Sequence, residues 1–242
     1  MRIDRLLVER GLFDSRAKAQ AAIAAGRVTL DGAIVTKPSA EAALGAVLAA
    51  QPAHPYVSRG GVKLAVALDH FGFDPAGCVC LDVGASTGGF TQVLLARGAQ
   101  LVYALDSGHG QLHSSLRREP NVVNLEGIDI RSPDDHLLKQ SSERPNFICV
   151  DVSFISLKLV LSPALALARL PARLLALIKP QFEAGRRALK KGIVRDEAVH
   201  RAVCAEIATL VRSLGWDVAG IMPSPIPGRV GNREFFIAAS HA

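Results

Sequence analysis

Four polar residues stand where the surrounding pattern calls for apolar ones. Asp151 closes the run Cys149-Val150-Asp151, Lys179 closes Leu177-Ile178-Lys179, and Glu234 opens Glu234-Phe235-Phe236. Lys63 heads a helical pattern continued by Leu64, Leu68 and Phe71. Charged groups at the ends of buried elements carry a desolvation cost, so they are paired or put to chemical use. One such pair alone reads as a structural salt bridge. Two lysines and two acids around one site read as chemistry on a hydroxyl that ionises with difficulty. A lysine with carboxylate partners can hold the oxygen in line, stabilise the charge that develops on it or, in its neutral form, accept its proton.

A second constellation tells what would react with that hydroxyl. The run Leu81-Asp82-Val83-Gly84-Ala85-Ser86-Thr87-Gly88-Gly89-Phe90-Thr91 passes from a strand through small residues into a helix. That places a ligand at the carboxyl edge of a sheet. Asp106 ends the next strand, 22 residues after Gly84, where a carboxylate can accept hydrogen bonds from both hydroxyls of a ribose. Asp129 and Ile130 follow the third strand and offer an adenine one polar and one flat apolar side chain.

Three readings compete for this loop. A dinucleotide fingerprint fails because Ser86 stands at its second glycine. Gly84 to Gly88 does match the G-x-S-x-G nucleophile elbow, with Ser86, Asp151 and His200 as a conceivable triad. That reading leaves Asp106 idle and lacks a glycine-rich oxyanion loop. An S-adenosylmethionine site uses all three strand ends and needs no phosphate cradle. In it Asp82 and the small residues Gly84, Ala85, Ser86, Thr87, Gly88 and Gly89 bracket the methionine moiety. His109 and His113 are four apart but have no third ligand nearby in sequence, so no metal is expected.

The elements that must position these residues follow from periodicity. Seven apolar runs of strand length occur at 78–83, 101–105, 121–125, 147–152, 174–178, 218–222 and 235–239. Most alternate with helical stretches, the clearest being 197–214 with Val199, Val203, Ile207, Leu210 and Leu214 on one face. This predicts an α/β, Rossmann-like domain with a seven-stranded, mostly parallel sheet covered on both sides. The last two strands are expected to pair antiparallel at one edge.

Residues 1–53 follow a different plan. Asp4 is expected to cap a short helix ended by Gly11, Ser15 to cap a second ended by Gly26, and Asp31-Gly32 to turn a hairpin. This predicts a small α+β module over 1–53, a linker over 54–61 and the catalytic domain over 62–242. The 242 residues carry a net charge of +6, of which residues 1–63 hold nine basic against five acidic residues. The remainder holds nineteen against seventeen. A basic head on a nearly neutral body points to an anionic partner. Arg2, Arg5, Arg16, Lys18, Arg27, Lys37 and Arg59 are its candidate contacts. The four cysteines have no C-x-x-C spacing and read as reduced thiols of a cytoplasmic protein. The opening residues carry charges inside their apolar run and do not read as a signal peptide. The longest apolar stretch, 157–178, is broken by Lys158, Pro163, Arg169, Pro171 and Arg173, so no membrane span is expected.

At these residues the sequence resembles the TlyA family, also labelled haemolysin A, of ribosomal RNA 2′-O-methyltransferases. RIDRLLVERGLFDSRAKAQAAIAAGRVTLDG is similar to the S4 RNA-binding pattern. SRGGVKL, LDVGASTGGFT, CVDVSFISL, LIKPQFE and GNREFF are similar to the blocks of an FtsJ-like methyltransferase domain. The resemblance implies a catalytic tetrad of Lys63, Asp151, Lys179 and Glu234. It implies S-adenosylmethionine contacts at Gly84 to Phe90, Asp106 and Asp129, and RNA contacts at Arg2, Arg16 and Lys37. Some members carry a basic extension ahead of the S4 pattern, where this chain begins. The short form is associated with a cytidine of 23S rRNA and the long form with 16S rRNA as well. The expected partner is therefore ribosomal RNA within a subunit. Two alternatives of other classes are a membrane-active haemolysin and a catalytically inert ribosome-binding factor.

Overall fold

The computed structural model describes residues 1–43, 45–132 and 143–242, apart from the side chain of Arg186. The chain divides into two compact units, Met1–Pro55 and Tyr56–Ala242.

In the first unit, helices α1 (Ile3–Glu9) and α2 (Arg16–Ala24) accompany strands β1 (Val28–Leu30), β2 (Ala33–Ile34) and β3 (Leu48–Ala50). The strands form an antiparallel sheet in the order β2-β1-β3. Asp31 and Gly32 both take positive φ, 48° and 84°, as a two-residue hairpin turn requires. Ser15 caps α2 through Lys18 N, as its type and position predict. Ile3, Leu7, Ile23 and Val28 are buried together in the core of this unit. β3 comes from the alanine-rich stretch and has no signal of its own; pairing with β1 defines it.

Asp4 departs from expectation. Helix α1 starts at Ile3, so Asp4 lies inside the first turn and is fully buried. It accepts two bonds from Arg2 at 3.1 Å, one from Arg16 at 2.8 Å and one from Gln20 at 2.8 Å. A buried carboxylate is tolerated only with such partners, and two guanidiniums bind it more strongly than backbone amides would.

The described residues of the second unit form seven strands: β4 (Val79–Val83), β5 (Leu101–Asp106), β6 (Val122–Glu126), β7 (Phe147–Val150), β8 (Ala172–Ile178), β9 (Asp217–Pro223) and β10 (Phe235–His241). Their order is β6-β5-β4-β7-β8-β10-β9, and β4 to β8 are parallel. β10 runs antiparallel to both β8 and β9, leaving β9 at the edge. Helices α5 (Leu157–Leu165) and α7 (Glu197–Ser213) cover one face through Leu161, Val203 and Ile207. Helices α3 (Arg59–Phe71) and α4 (Gly89–Ala96) cover the other through Leu64, Leu68, Phe90 and Leu94. A short helix α6 (Pro180–Glu183) follows β8 directly.

The expected linker is partly folded. Val57 N donates to Gln92 Oε1 at 2.7 Å, and the Tyr56 ring fills the space beside Gly61. Helix α3 therefore begins four residues ahead of Lys63 and fixes it one turn inside.

Candidate active site

Side chains alternate across a strand, so residues two apart share a face. Cys80, Cys149, Leu177 and Phe236 all pack under α3 and α4. The next residues of the same parity toward the carboxyl edge are Asp82, Asp151, Lys179 and, on the reversed strand, Glu234. Asp106 follows Ala104 in the same way on β5. Five polar groups thus cap the apolar columns of one sheet face. The register pairs Asp82 with Ala104 and with Cys149, which sets Asp82 one row deeper than Asp106 and Asp151.

Two ion pairs form there, one buried and one partly buried. Lys63 Nζ lies 2.5 Å from Glu234 Oε2, with both side chains below a tenth exposed. Lys179 Nζ lies 2.6 Å from Asp151 Oδ1 and donates to Ser153 Oγ at 2.8 Å. The Asp151 contact is electrostatic, because Oδ1 has no partner at hydrogen-bonding angles. Sequence reading missed Ser153; its signal is its place two residues after Asp151, facing Lys179 in the continued β7–β8 register.

The edge around these pairs is braced. Glu183, at the end of the Lys179 block, accepts from Ser156 Oγ at 2.5 Å and Leu157 N at 2.8 Å, so it caps α5 and ties the two motif blocks together. Between them Phe154 takes φ +65° and is 92% exposed. That region is rare for a bulky side chain and is a local strain. Its ring centroid lies 5.3 Å from that of Phe182.

The glycine-rich loop is shaped first by protein contacts. A Cβ on Gly84, at φ +86°, would lie 2.5 Å from the carbonyl oxygen of Asp151. A Cβ on Gly89 would strike Ser58 Oγ and come within 2.9 Å of Gly61 N. Gly84 thus lets the loop pass against the end of β7, and Gly89 lets α4 approach the start of α3, which carries Lys63. Ala85 packs with Ala104, Leu112 and Leu116. Thr87 accepts the His113 amide, and Gly88 abuts Leu112 and Leu116. Phe90, expected at the cofactor, is a core residue stacked 6.1 Å from Phe236, so only its backbone can face a ligand.

Asp82 is wholly buried and receives Thr91 Oγ1 at 2.7 Å on Oδ2, while Oδ1 has no hydrogen-bond partner. Burial raises its pKa to about 7 against the bond from Thr91, and Asp151 and Asp106 push the same way. Asp106 accepts Ser86 N at 2.8 Å and Gly108 N at 2.7 Å, which binds the loop after β4 to the end of β5. Gln111 joins this set through Ser86 Oγ at 3.0 Å and Asp106 at 3.3 Å. Glu126, unforeseen from sequence, stands beside Asp106 on β6 and accepts Gln111 N at 2.5 Å and Leu112 N at 2.8 Å. Its bond from Asn124, with these amides, lowers its pKa to about 2 against burial. Asp129 is held by Arg131, at 2.5 Å, and Ile130 rests partly buried against the main core. The Ser86–Asp151–His200 triad does not assemble: Ser86 Oγ donates to Gln111, and the His200 imidazole lies 3.1 Å from the Val194 carbonyl oxygen.

The basic candidates divide into two groups. Arg2 and Arg16 sit on Asp4, and Lys18 pairs with Asp14 at 2.8 Å. Arg5, Arg27 and Lys37 are exposed. Arg59 donates to the Pro227 carbonyl and so braces the loop before Glu234.

Residues 56–241 match the FtsJ-like methyltransferase family and residues 1–48 the S4 domain. Over 241 residues the chain is 42% identical to the 16S/23S rRNA (cytidine-2′-O)-methyltransferase TlyA of Mycobacterium tuberculosis, covering 98% of this chain and 88% of that one. The chain belongs to the TlyA family of FtsJ-like methyltransferases. Hemolysin A of Brachyspira hyodysenteriae, similar to this TlyA-family chain, is 37% identical over 236 residues (97% of this chain, 98% of the relative). A solved structure of a haemolysin candidate from Streptococcus thermophilus has a TM-score of 0.78 at 37% identity, covering all of this chain and 88% of that one. Haemolysin and methyltransferase labels thus fall on one TlyA architecture. Among the described residues no helix is long and apolar enough to cross a membrane.

Proposed function

We propose that this chain transfers a methyl group from S-adenosylmethionine to the ribose 2′-hydroxyl of a cytidine in ribosomal RNA, in 23S rRNA first and 16S rRNA second. The observation that carries the reading is the pair of lysine–acid contacts at the end of the sheet face that also ends in Asp82 and Asp106. The relative from M. tuberculosis is named for this reaction on both rRNAs.

The residues fit the cofactor. Asp82 keeps one buried oxygen without a partner, a place for a cationic ammonium group. Asp106 carries two carboxylate oxygens at the strand edge, with lone pairs beyond those its amide partners use. When bound, S-adenosylmethionine supplies the methyl group, whose bond to sulfur breaks as the bond to oxygen forms. Lys179, fixed between Asp151 and Ser153, directs an N–H at the incoming oxygen and holds it in line. The hydroxyl becomes acidic as its oxygen gains a bond, so the Asp151 carboxylate suffices to take its proton. Lys63 and Glu234 keep the neighbouring part of the edge charged and rigid. Exposed Phe154 offers its ring to an unstacked base, the mode by which single-stranded RNA is held. A cytoplasmic setting agrees with four free thiols, two of which, Cys80 and Cys149, are fully buried.

The test is tritium transfer from labelled cofactor to ribosomal subunits lacking the modification, followed by mapping of ribose methylation. Methylation confined to a cytidine 2′-oxygen is expected. No transfer to either subunit overturns the reading. Strong dye leakage from liposomes without transfer returns the membrane-active alternative.

A further inference from the structure

The charge balance of the catalytic unit conceals a local excess. Residues 185–195, GRRALKKGIVR, hold five basic residues and no acid. Lys190 and Ile193 form an antiparallel bridge with reciprocal backbone bonds of 3.0 and 3.1 Å, and Lys191 and Gly192 turn between them at φ 53° and 78°. This hairpin is clamped from below. Asn232, 1% exposed, accepts Val194 N at 3.0 Å and donates to Gly192 O at 2.9 Å. Val194 is itself buried, and its carbonyl meets the His200 ring.

The same asparagine belongs to the catalytic edge. Its carbonyl receives Gly228 N at 2.9 Å, and the Gly228 backbone rests on the Glu234 carboxylate. Arg229 is exposed on that loop. Arg187, Lys190, Lys191, Arg195 and Arg229 are all exposed, and none has an acidic partner among the described residues. In the first unit, by contrast, Arg2, Arg16 and Lys18 already face carboxylates. Fixed, unneutralised cations gain most from a polyanion, because binding releases its counterions without first breaking an ion pair.

We propose that the 185–195 hairpin and the Gly228–Asn232 loop form a phosphate-binding surface for the RNA strand on the catalytic unit, beside Lys63 and Glu234, in addition to the S4 module. The proposal rests on RNA being the substrate. Asn232 is its positioning residue, since it sets the hairpin against the loop that carries Glu234.

The test uses the full chain, with Lys190→Glu plus Lys191→Glu and, separately, Lys190→Gln plus Lys191→Gln as the milder pair. Binding to poly(C) RNA is followed against salt, alongside rRNA methylation kinetics, cofactor binding by calorimetry and the thermal midpoint. The expected result is a salt slope smaller by ~1.4, at about 0.7 per lost single-strand phosphate contact. KM for rRNA should rise about tenfold with kcat, cofactor affinity and thermal midpoint unchanged. An unchanged slope and KM in folded variants overturn the surface while leaving methyl transfer standing. A slope lost on mutation, in a protein whose wild type methylates no rRNA, keeps the surface and overturns the enzymatic reading.

Discussion

Lys179 and Glu234 occupy facing positions one residue beyond the last β8–β10 pair, Ile178 with Phe235, yet each makes its ion pair with a different partner. Lys179 turns to Asp151, just past β7, and Glu234 to Lys63 on α3. The site is therefore two pairs side by side, and the two should respond differently to substitution.

Lys179→Ala is expected to lower methyl transfer at least a hundredfold, the range of one preorganised charge at a reacting oxygen. Calorimetric cofactor affinity should stay within a few-fold of wild type. Near-wild-type transfer would remove Lys179 from the chemistry.

Lys63 and Glu234 should be coupled in stability. Glu234→Leu leaves a buried ammonium alone and should cost ~3–5 kcal/mol, whereas adding Lys63→Met to it should recover most of that. Urea denaturation of the two singles and the double measures the coupling. Simple additivity would mean that the pair is not formed in solution. The double variant should be inactive although folded.

Asp82 gives the free protein a pH signature. Its folded pKa, raised by burial to about 7, lies above its unfolded value. Below about pH 4 both states are protonated and nothing is lost. From about pH 4 to 7 the folded carboxyl keeps a proton that the unfolded chain has released, so stability falls as pH rises. Asp82→Asn should therefore stabilise the cofactor-free protein more at pH 8 than at pH 5, by as much as ~3 kcal/mol, about two units between pH 5 and the folded value at roughly 1.4 kcal/mol per unit. It should also weaken cofactor binding at pH 8. Equal stabilisation at both pH values would contradict the burial argument.

Phe154→Gly separates strain from binding. Glycine takes positive φ freely, so the fold should be as stable as wild type or slightly more so. Loss of one base stack costs ~1–3 kcal/mol, which predicts a rise in KM for RNA of roughly five- to 150-fold. A stability loss with unchanged KM would make Phe154 a structural residue.

The N-terminal cations should also divide. Arg5 is exposed and has no ion pair among the described residues, so Arg5→Glu should lower RNA affinity and its salt slope at constant thermal midpoint. Arg16→Glu places a second carboxylate beside buried Asp4 and should lower both affinity and midpoint. Asp4, held well below the usual carboxylate range by Arg2 and Arg16, stabilises this unit at neutral pH. That contribution is lost as pH falls from about 4 through the depressed folded value.

Sequence periodicity by itself determined the seven strands, their alternation with helices, and the polar residues that end them. It did so because buried strands and strand ends are local patterns, and a charge at the end of an apolar run is visible without knowing what lies beside it. The Asp31-Gly32 turn and the Ser15 cap were legible for the same reason. Only the tertiary structure decided partners. Asp4 looks like a cap until Arg2, Arg16 and Gln20 close on it. Phe90 looks like a cofactor contact until Phe236 stacks against it. Gly84 and Gly89 look like a ligand cradle until Asp151 and Ser58 are seen against them. The roles of Ser153, Glu126 and Asn232 were not legible, because the partners that decide them, Lys179, Leu112 and Val194, lie 14 to 38 positions away. The basic hairpin at 185–195 was averaged out of a domain-wide charge sum. It became a surface once Asn232 joined it to the loop that carries Glu234, because an electrostatic site depends on where charges are fixed, and a sum over a chain does not record that.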